Sequence, residues 1–365
     1  MRLDLYFARR FLSTFGGLLA IFTVIYALLD MVEQIRKFDT DSVGFVEILR
    51  LTLLNMPSGL YSILPLVVIL SAISLFISMA RSSELVISRA AGRSALRSLL
   101  SPVLMAFLLG LISVAVFNPI VAGTSKRYEV VANQYKKGSS SVLSISREGL
   151  WLRQADETGQ TVIRAARANL DGTKLFAVTF LTFDATGLPS YRIEAETAEL
   201  LPGQWHVTGV KRWTFGENLN PERSAETFDQ LDVPSDLTSD QIRDSFGDPS
   251  SIPIWELPAF IDRLERAGFS ARQHRVWFQM ELALPVMFAA MVMVGAGFTM
   301  RHSRFGRTGM MVLAAVVLGF TIFFVRNFAQ ILGENGQIPI ALAAWAPPIA
   351  AIFLTLGLLL HLEDG

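Results

Sequence analysis

The chain contains no cysteine among its 365 residues. Disulfides, thiol nucleophiles and zinc–cysteine sites are therefore excluded. Charge is also scarce, at 18% of residues, where a soluble domain carries roughly a quarter. Neither sign dominates, since 32 Lys and Arg face 32 Asp and Glu. A nucleic-acid binder would need a basic excess, so that class is set aside. The dipeptide Gly-Lys never occurs, and with it goes any Walker-type phosphate loop. The four histidines, at 206, 274, 302 and 361, form no His-Glu-x-x-His pair. No Gly-x-Ser-x-Gly elbow is present either, and no catalytic site is expected in this chain.

What the chain does have is apolar length. Hydrophobic residues make up 52% and the mean hydropathy is +0.43. Crossing a bilayer as a helix takes about 20 residues. Six stretches qualify, at 11–31, 56–80, 96–121, 276–300, 310–331 and 338–361. Between the third and fourth lies a polar block holding more than half of the charged residues. The expected layout is residues 1–122 as three spans, 123–275 as an inserted domain, and 276–365 as three spans. Apolar-run length also argues against reading the first span as a cleaved signal peptide.

Short-loop Lys and Arg set orientation. Arg2, Arg9 and Arg10, then Arg81, Arg89, Arg93 and Arg97, then Arg301, Arg304 and Arg307 share one side. That side is expected to be the cytoplasm, with both termini there and the inserted domain opposite, in a bacterial periplasm. The inserted block reads as β. Leu175–Phe183, Tyr191–Leu200 and Trp205–Phe215 are β-rich runs, separated by turn signals at Gly172, Gly187 and Gly203. A jelly-roll-like or sandwich domain is expected. After it, Leu257, Phe260, Ile261 and Leu264 recur at helical spacing, with Gly268 as the stop. The fold class expected is thus an α-helical polytopic membrane protein with six transmembrane helices and an inserted periplasmic all-β, jelly-roll-like domain.

The cytoplasmic segment Arg81-Ser-Ser-Glu-Leu-Val-Ile-Ser-Arg-Ala-Ala-Gly-Arg-Ser94 is the most informative. Ser82 or Ser83 can cap a helix and Glu84 then sits in its first turn, where the dipole favours an anion. Small residues follow at Ala90, Ala91 and Gly92. Two readings remain open from pattern alone: an interfacial helix among lipid head groups, or a docking helix for a cytoplasmic protein.

Ser-Glu-Leu-Val-x-x-x-Ala-x-Gly, at Ser83–Gly92, resembles the cytoplasmic coupling-helix signature of the LptF/LptG permease family of lipopolysaccharide export. Asp30–Lys37, Pro57 and Pro65, the Gly149-Leu-Trp151 opening and Leu257–Gly268 match that family in type and place. The resemblance spans essentially the whole chain and leans to the LptG branch. It implies a non-catalytic subunit of an ATP-driven exporter, working with an LptF-like permease, an LptB-like ATPase dimer and an LptC-like single-span jelly-roll protein. It implies no cofactor in this chain, ATP and Mg being used by the partner, and no nucleic acid. The coupling helix, near 82–94, would dock in the ATPase through Glu84, Leu85, Val86 and Arg89. Arg36, Lys37, Lys126 and Arg127 stand at helix ends opposite the basic side. They read either as phosphate ligands for lipid A or as ordinary interfacial anchors. Arg326, Phe22, Phe320 and Phe324 are weaker candidates for a lipid cavity. Arg326 could instead snorkel to the periplasmic surface or pair with Asp30, and Glu281, early in span four, receives no role. Outside this class stand an ion-coupled secondary transporter, which needs ionisable residues near mid-span, and a membrane scaffold without transport.

Overall fold

The computed structural model describes residues 2–38, 44–84, 87, 94–135, 143–146, 149–156, 159–169, 172–184, 187–215, 220, 222–223, 225–235, 237–238, 242, 248–266, 270–300 and 308–363. The elements are α1 (Arg2–Lys37), α2 (Phe45–Arg81), α3 (Ala95–Ile112), a π-helical turn (Ser113–Phe117) and α4 (Asn118–Tyr135). Seven strands follow: β1 (Leu143–Ser146), β2 (Gly149–Asp156), β3 (Gly159–Ala168), β4 (Lys174–Asp184), β5 (Pro189–Leu201), β6 (Gln204–Thr214) and β7 (Glu226–Pro234). The chain closes with α5 (Leu257–Arg266), α6 (Arg272–Thr299), α7 (Thr308–Glu334) and α8 (Ile340–Glu363). Two compact units emerge. One comprises Met1–Lys137, Ser250–Trp255 and Arg272–Gly365; the other comprises Gly138–Pro249 and Glu256–Ala271.

In the helical unit, six helices among the described residues are long and apolar enough to cross a membrane. The third combines α3, the π-helical turn and α4, running Arg97–Ala132. Prolines stand inside α2, α3, α6 and α8. Helices in lipid tolerate them because neighbours re-satisfy the freed carbonyls. Serines and threonines within the spans do not waste their hydroxyls. Ser71, Ser113, Thr299 and Thr355 each donate to the carbonyl four residues back.

α2 and α6 form the centre of the bundle, packed around Val68, Phe76, Phe288 and Met291. Small residues set their close approaches. A Cβ on Gly110 would lie 2.4 Å from the Pro285 Cα, and one on Gly295 would lie 2.9 Å from the Ala72 Cβ. Gly59 leaves room for the Tyr26 ring. α1 packs chiefly on α2 and α3, and α7 on α6, α8 and α2.

The second unit is one antiparallel sheet whose strands pair in chain order from β1 to β7. The expected inserted β domain is therefore present. Its described strands pair in chain order, as an up-and-down meander. The turn glycines carry the left-handed conformation those turns need, with φ of 71° at Gly172, 85° at Gly187 and 83° at Gly203. Alternate residues turn inward along the strands, giving buried pairs Ile163/Ala165, Val178/Phe180 and Trp205/Val207. Trp205 is fully buried and meets Phe180 edge-on at 6.4 Å between ring centroids. Of the four residues the spacing picked out, α5 buries Leu257, Ile261 and Leu264 and leaves Phe260 half-buried. Gly268 lies outside the described residues.

Candidate functional site

The helical unit carries three polar clusters, at three levels along the helices. The first is where α2 ends. Ser82 closes α2, its backbone N–H donating to Ser78 O. Ser83 adopts φ 59°, a left-handed conformation rare for serine. The kink starts a new helical turn, with Ile87 N donating to Ser83 O at 3.1 Å. It also turns Glu84 back on α1. The Glu84 carboxylate accepts from Arg10 Nη1 at 2.6 Å to both oxygens, from Tyr6 Oη at 3.2 Å and from Ser82 Oγ at 2.7 Å. Arg10 also reaches Ser78 Oγ at 2.8 Å, so one guanidinium ties α1, α2 and the segment after α2. Burial pushes the Glu84 carboxyl up, but the bonds from Arg10, Ser82 and Tyr6 outweigh it and hold it below its ordinary value. Of the other coupling-helix candidates, Leu85, Val86 and Arg89 lie outside the described residues. Ile87, within the same segment, is exposed.

The second cluster sits where α1 ends. Lys37 Nζ donates to Tyr128 Oη at 3.1 Å, and Tyr128 donates to Gln34 Oε1 at 3.0 Å. Gln34 in turn lies 3.4 Å from both oxygens of buried Asp30, which also accepts from Asn55 Nδ2 at 2.6 Å. This chain joins α1 to α4 and brings the two basic pairs of the sequence to one rim. Lys126 and Arg127 lie on α4 itself, which continues beyond them to Tyr135. Arg36, Lys37, Lys126 and Arg127 are all exposed. Among the described residues Arg36 makes only a loose pair with Glu33, at 3.7 Å between two well-exposed side chains. Phe38, Ile48, Leu51 and Ala132 pack together and pin this end of the bundle.

The third cluster, deep between helices, is the one sequence reading missed. Glu281 is 1% exposed, about two and a half turns into α6. Tyr61 of α2 donates its hydroxyl to it. Asn118, where the π-helical turn meets α4, is within hydrogen-bonding reach of both. The Asn118 Oδ1 is occupied by Ile254 N at 2.9 Å, which leaves its amide hydrogens for the carboxylate. Arg326 of α7 attracts Glu281 and Tyr61 electrostatically. Arg326 therefore does not pair with Asp30, whose partners are Gln34 and Asn55. The general signal was available: an ionisable residue inside a span marks function by default.

The aromatic candidates are divided. Phe320 and Phe324, both exposed on α7, lie with ring centroids 6.5 Å apart and planes tilted by 33°. Phe22 is half-buried on α1, a helix that packs on a different set of neighbours. Among the described residues no cluster of three or more His, Asp or Glu could hold a metal ion.

Six spans, a β domain inserted midway and a polar turn after span two make a layout that comparison resolves. The family model for the lipopolysaccharide export system permease LptF/LptG matches residues 5–361. The chain belongs to the LptF/LptG family. Among its relatives, the lipopolysaccharide export system permease protein LptG of Haemophilus influenzae is 24% identical over 373 residues, covering 99% of each chain. The LptG of Escherichia coli K12 is 24% identical over 360 residues, covering 96% of this chain and 94% of its own. Membership accounts for a polytopic membrane protein with a β domain between spans three and four. In this chain the Glu84 turn and the basic rim stand at opposite ends of α1.

Proposed function

We propose that this LptF/LptG permease is the transmembrane half of an ATP-driven exporter that extracts lipopolysaccharide from the inner membrane. The partners in this reading are an LptF-like permease beside it, a dimeric LptB-like ATPase beneath it and an LptC-like jelly-roll protein leading to a periplasmic bridge. Both termini face the cytoplasm and the β domain faces the periplasm, on the distribution of Lys and Arg in the short loops. Acyl chains occupy a cavity bounded by the exposed apolar faces of α1 and α7. Extracting them works against burial worth about 0.8 kcal/mol per methylene, which is why a separate motor is needed. Arg36, Lys37, Lys126 and Arg127 meet lipid A phosphates at the rim through charge-assisted bonds.

The observation that carries this reading is the Arg10–Glu84 tie. A partner that moves the segment after α2 pulls directly on α1, one wall of the cavity. Leu85, Val86 and Arg89 complete the surface that enters the ATPase. Glu84→Ala or Arg89→Glu is expected to lower co-purification of the ATPase several-fold while membrane insertion is unchanged. Wild-type levels of ATPase in both preparations would remove the docking role.

A second reading, an ion-coupled carrier, draws support from Glu281, which lies inside a span and is buried. It requires lipid movement in vesicles that hold an ion gradient and no ATPase. The exporter reading requires none there.

A further inference from the structure

Arg326 is a permanent cation seated in an apolar helix, and it is half-buried. Its guanidinium has five N–H donors. The single hydrogen bond found for it among the described residues runs to Asn327 Oδ1 at 3.4 Å. Glu281 attracts it without forming a contact ion pair. Glu281 is differently placed: it is fully buried, it accepts from Tyr61, and Asn118 faces it from the π-helical turn. The carboxylate is thus clamped from α2 and α4, while the guanidinium is held by charge and keeps its donors unspent. A cation in lipid with open donors is completed by an anion that comes to it.

We propose that Glu281 is a positioning residue: clamped by Tyr61 and Asn118, it is the fixed counter-charge that keeps Arg326 in the bundle with its donors open to a phosphate of the exported lipid. This rests on the reading in which α7 borders the lipid cavity. Phe320 and Phe324 lie on the same helix six and two residues before Arg326, about one and two-thirds turns and half a turn away, and both are exposed, so α7 would meet acyl chains as well as phosphate. The π-helical turn has its own part. Such turns insert one extra residue into a helix and commonly occur at functional sites. Here the turn ends at Phe117, directly before Asn118, the residue that faces the carboxylate.

The test places a photoreactive residue at Phe324 in the full complex of both permeases and the ATPase. Crosslinking to lipopolysaccharide is then scored per assembled complex, alongside the melting temperature. Glu281→Gln keeps the acceptor for Tyr61 and removes only the charge. It should lower crosslinking at least fivefold with Arg326 still in place, and Glu281→Asp should recover part of that loss. The double variant Glu281→Gln/Arg326→Gln should regain the melting temperature, because no lone charge remains, and should still fail to crosslink. Lipid stripped of its phosphates should crosslink equally in wild type and Glu281→Gln. Wild-type crosslinking in Glu281→Gln, with Arg326→Gln defective, overturns the positioning role alone. Wild-type crosslinking in Arg326→Gln overturns the placement of α7 at the cavity, and the proposal with it. Recovery of crosslinking in the double variant leaves the pair purely structural and equally overturns it.

Discussion

α1 and α6 are both long apolar helices, yet they occupy opposite environments. Of the most apolar stretch of α6, 83% is buried within the protein; of that of α1, 6% is. α7 resembles α1, at 11%, and α2 resembles α6, at 61%. Hydropathy reports only that a segment prefers lipid or protein to water, and the two interiors are equally apolar. What separates the helices is side-chain size and polarity on the packed faces. α6 carries Gly295 and several alanines where it meets α2, and it carries the buried carboxylate. α1 has Gly16 and Gly17 with nothing within 4 Å, and Val24, Leu28 and Leu29 facing outward. Two helices thus make a scaffold, and two others present apolar faces to lipid or to a second permease.

The sharpest way to break that contrast is to truncate one large side chain on each helix. Phe288 on α6 is fully buried, and Phe288→Ala is expected to cost about 3–5 kcal/mol. Leu28 on α1 is 57% exposed, and Leu28→Ala should stay within about 0.5 kcal/mol. Thermal melting in detergent reads both, and equal losses would abolish the distinction. A smaller effect is expected from adding a methyl group. Gly110→Ala drives its Cβ against the Pro285 backbone and should cost about 1–3 kcal/mol. Gly16→Ala meets nothing, and should be neutral or stabilising by about 0.5–1 kcal/mol through helix propensity.

The smallest effect concerns pH and the Arg10–Glu84 tie at the start of α1. Because the Glu84 carboxyl is held below its ordinary value, its contribution is complete above the ordinary carboxylate range. It is lost only as pH falls through the lowered value. Spin labels placed at Arg9 and Arg81 should therefore keep one separation from pH 8 down to pH 5. A change of separation within that interval would contradict the ion pair.

Much of this architecture is legible in the sequence, for local reasons. Span length and turn glycines are properties of single segments, so the six helices and β4, β5 and β6 follow from runs and punctuation. The spacing of Leu257, Ile261 and Leu264 likewise defines α5 without reference to anything else. Partners distant in sequence are a different matter. Tyr61 and Glu281 are separated by 220 positions and Arg10 and Glu84 by 74, and no periodicity links them. The cluster around Glu281 went unread because its four members stand on four separate elements. Each alone looks like an isolated polar residue in an apolar run. Lys126 and Arg127 illustrate a boundary problem: apolar length ends near Val121, but the helix is carried to Tyr135 by packing of Val131 and Tyr135 against Phe38.

The central claim is that force applied near Glu84 empties a cavity bordered by α7. The most direct measurement follows the lipid at Phe320 in proteoliposomes holding both permeases, the ATPase and lipopolysaccharide. With a photoreactive group at that position, the crosslink should form without nucleotide and vanish on adding ATP. In Glu84→Ala it should form equally and persist. Loss of the crosslink on ATP addition in Glu84→Ala, or its loss where the ATPase is left out, would contradict the account.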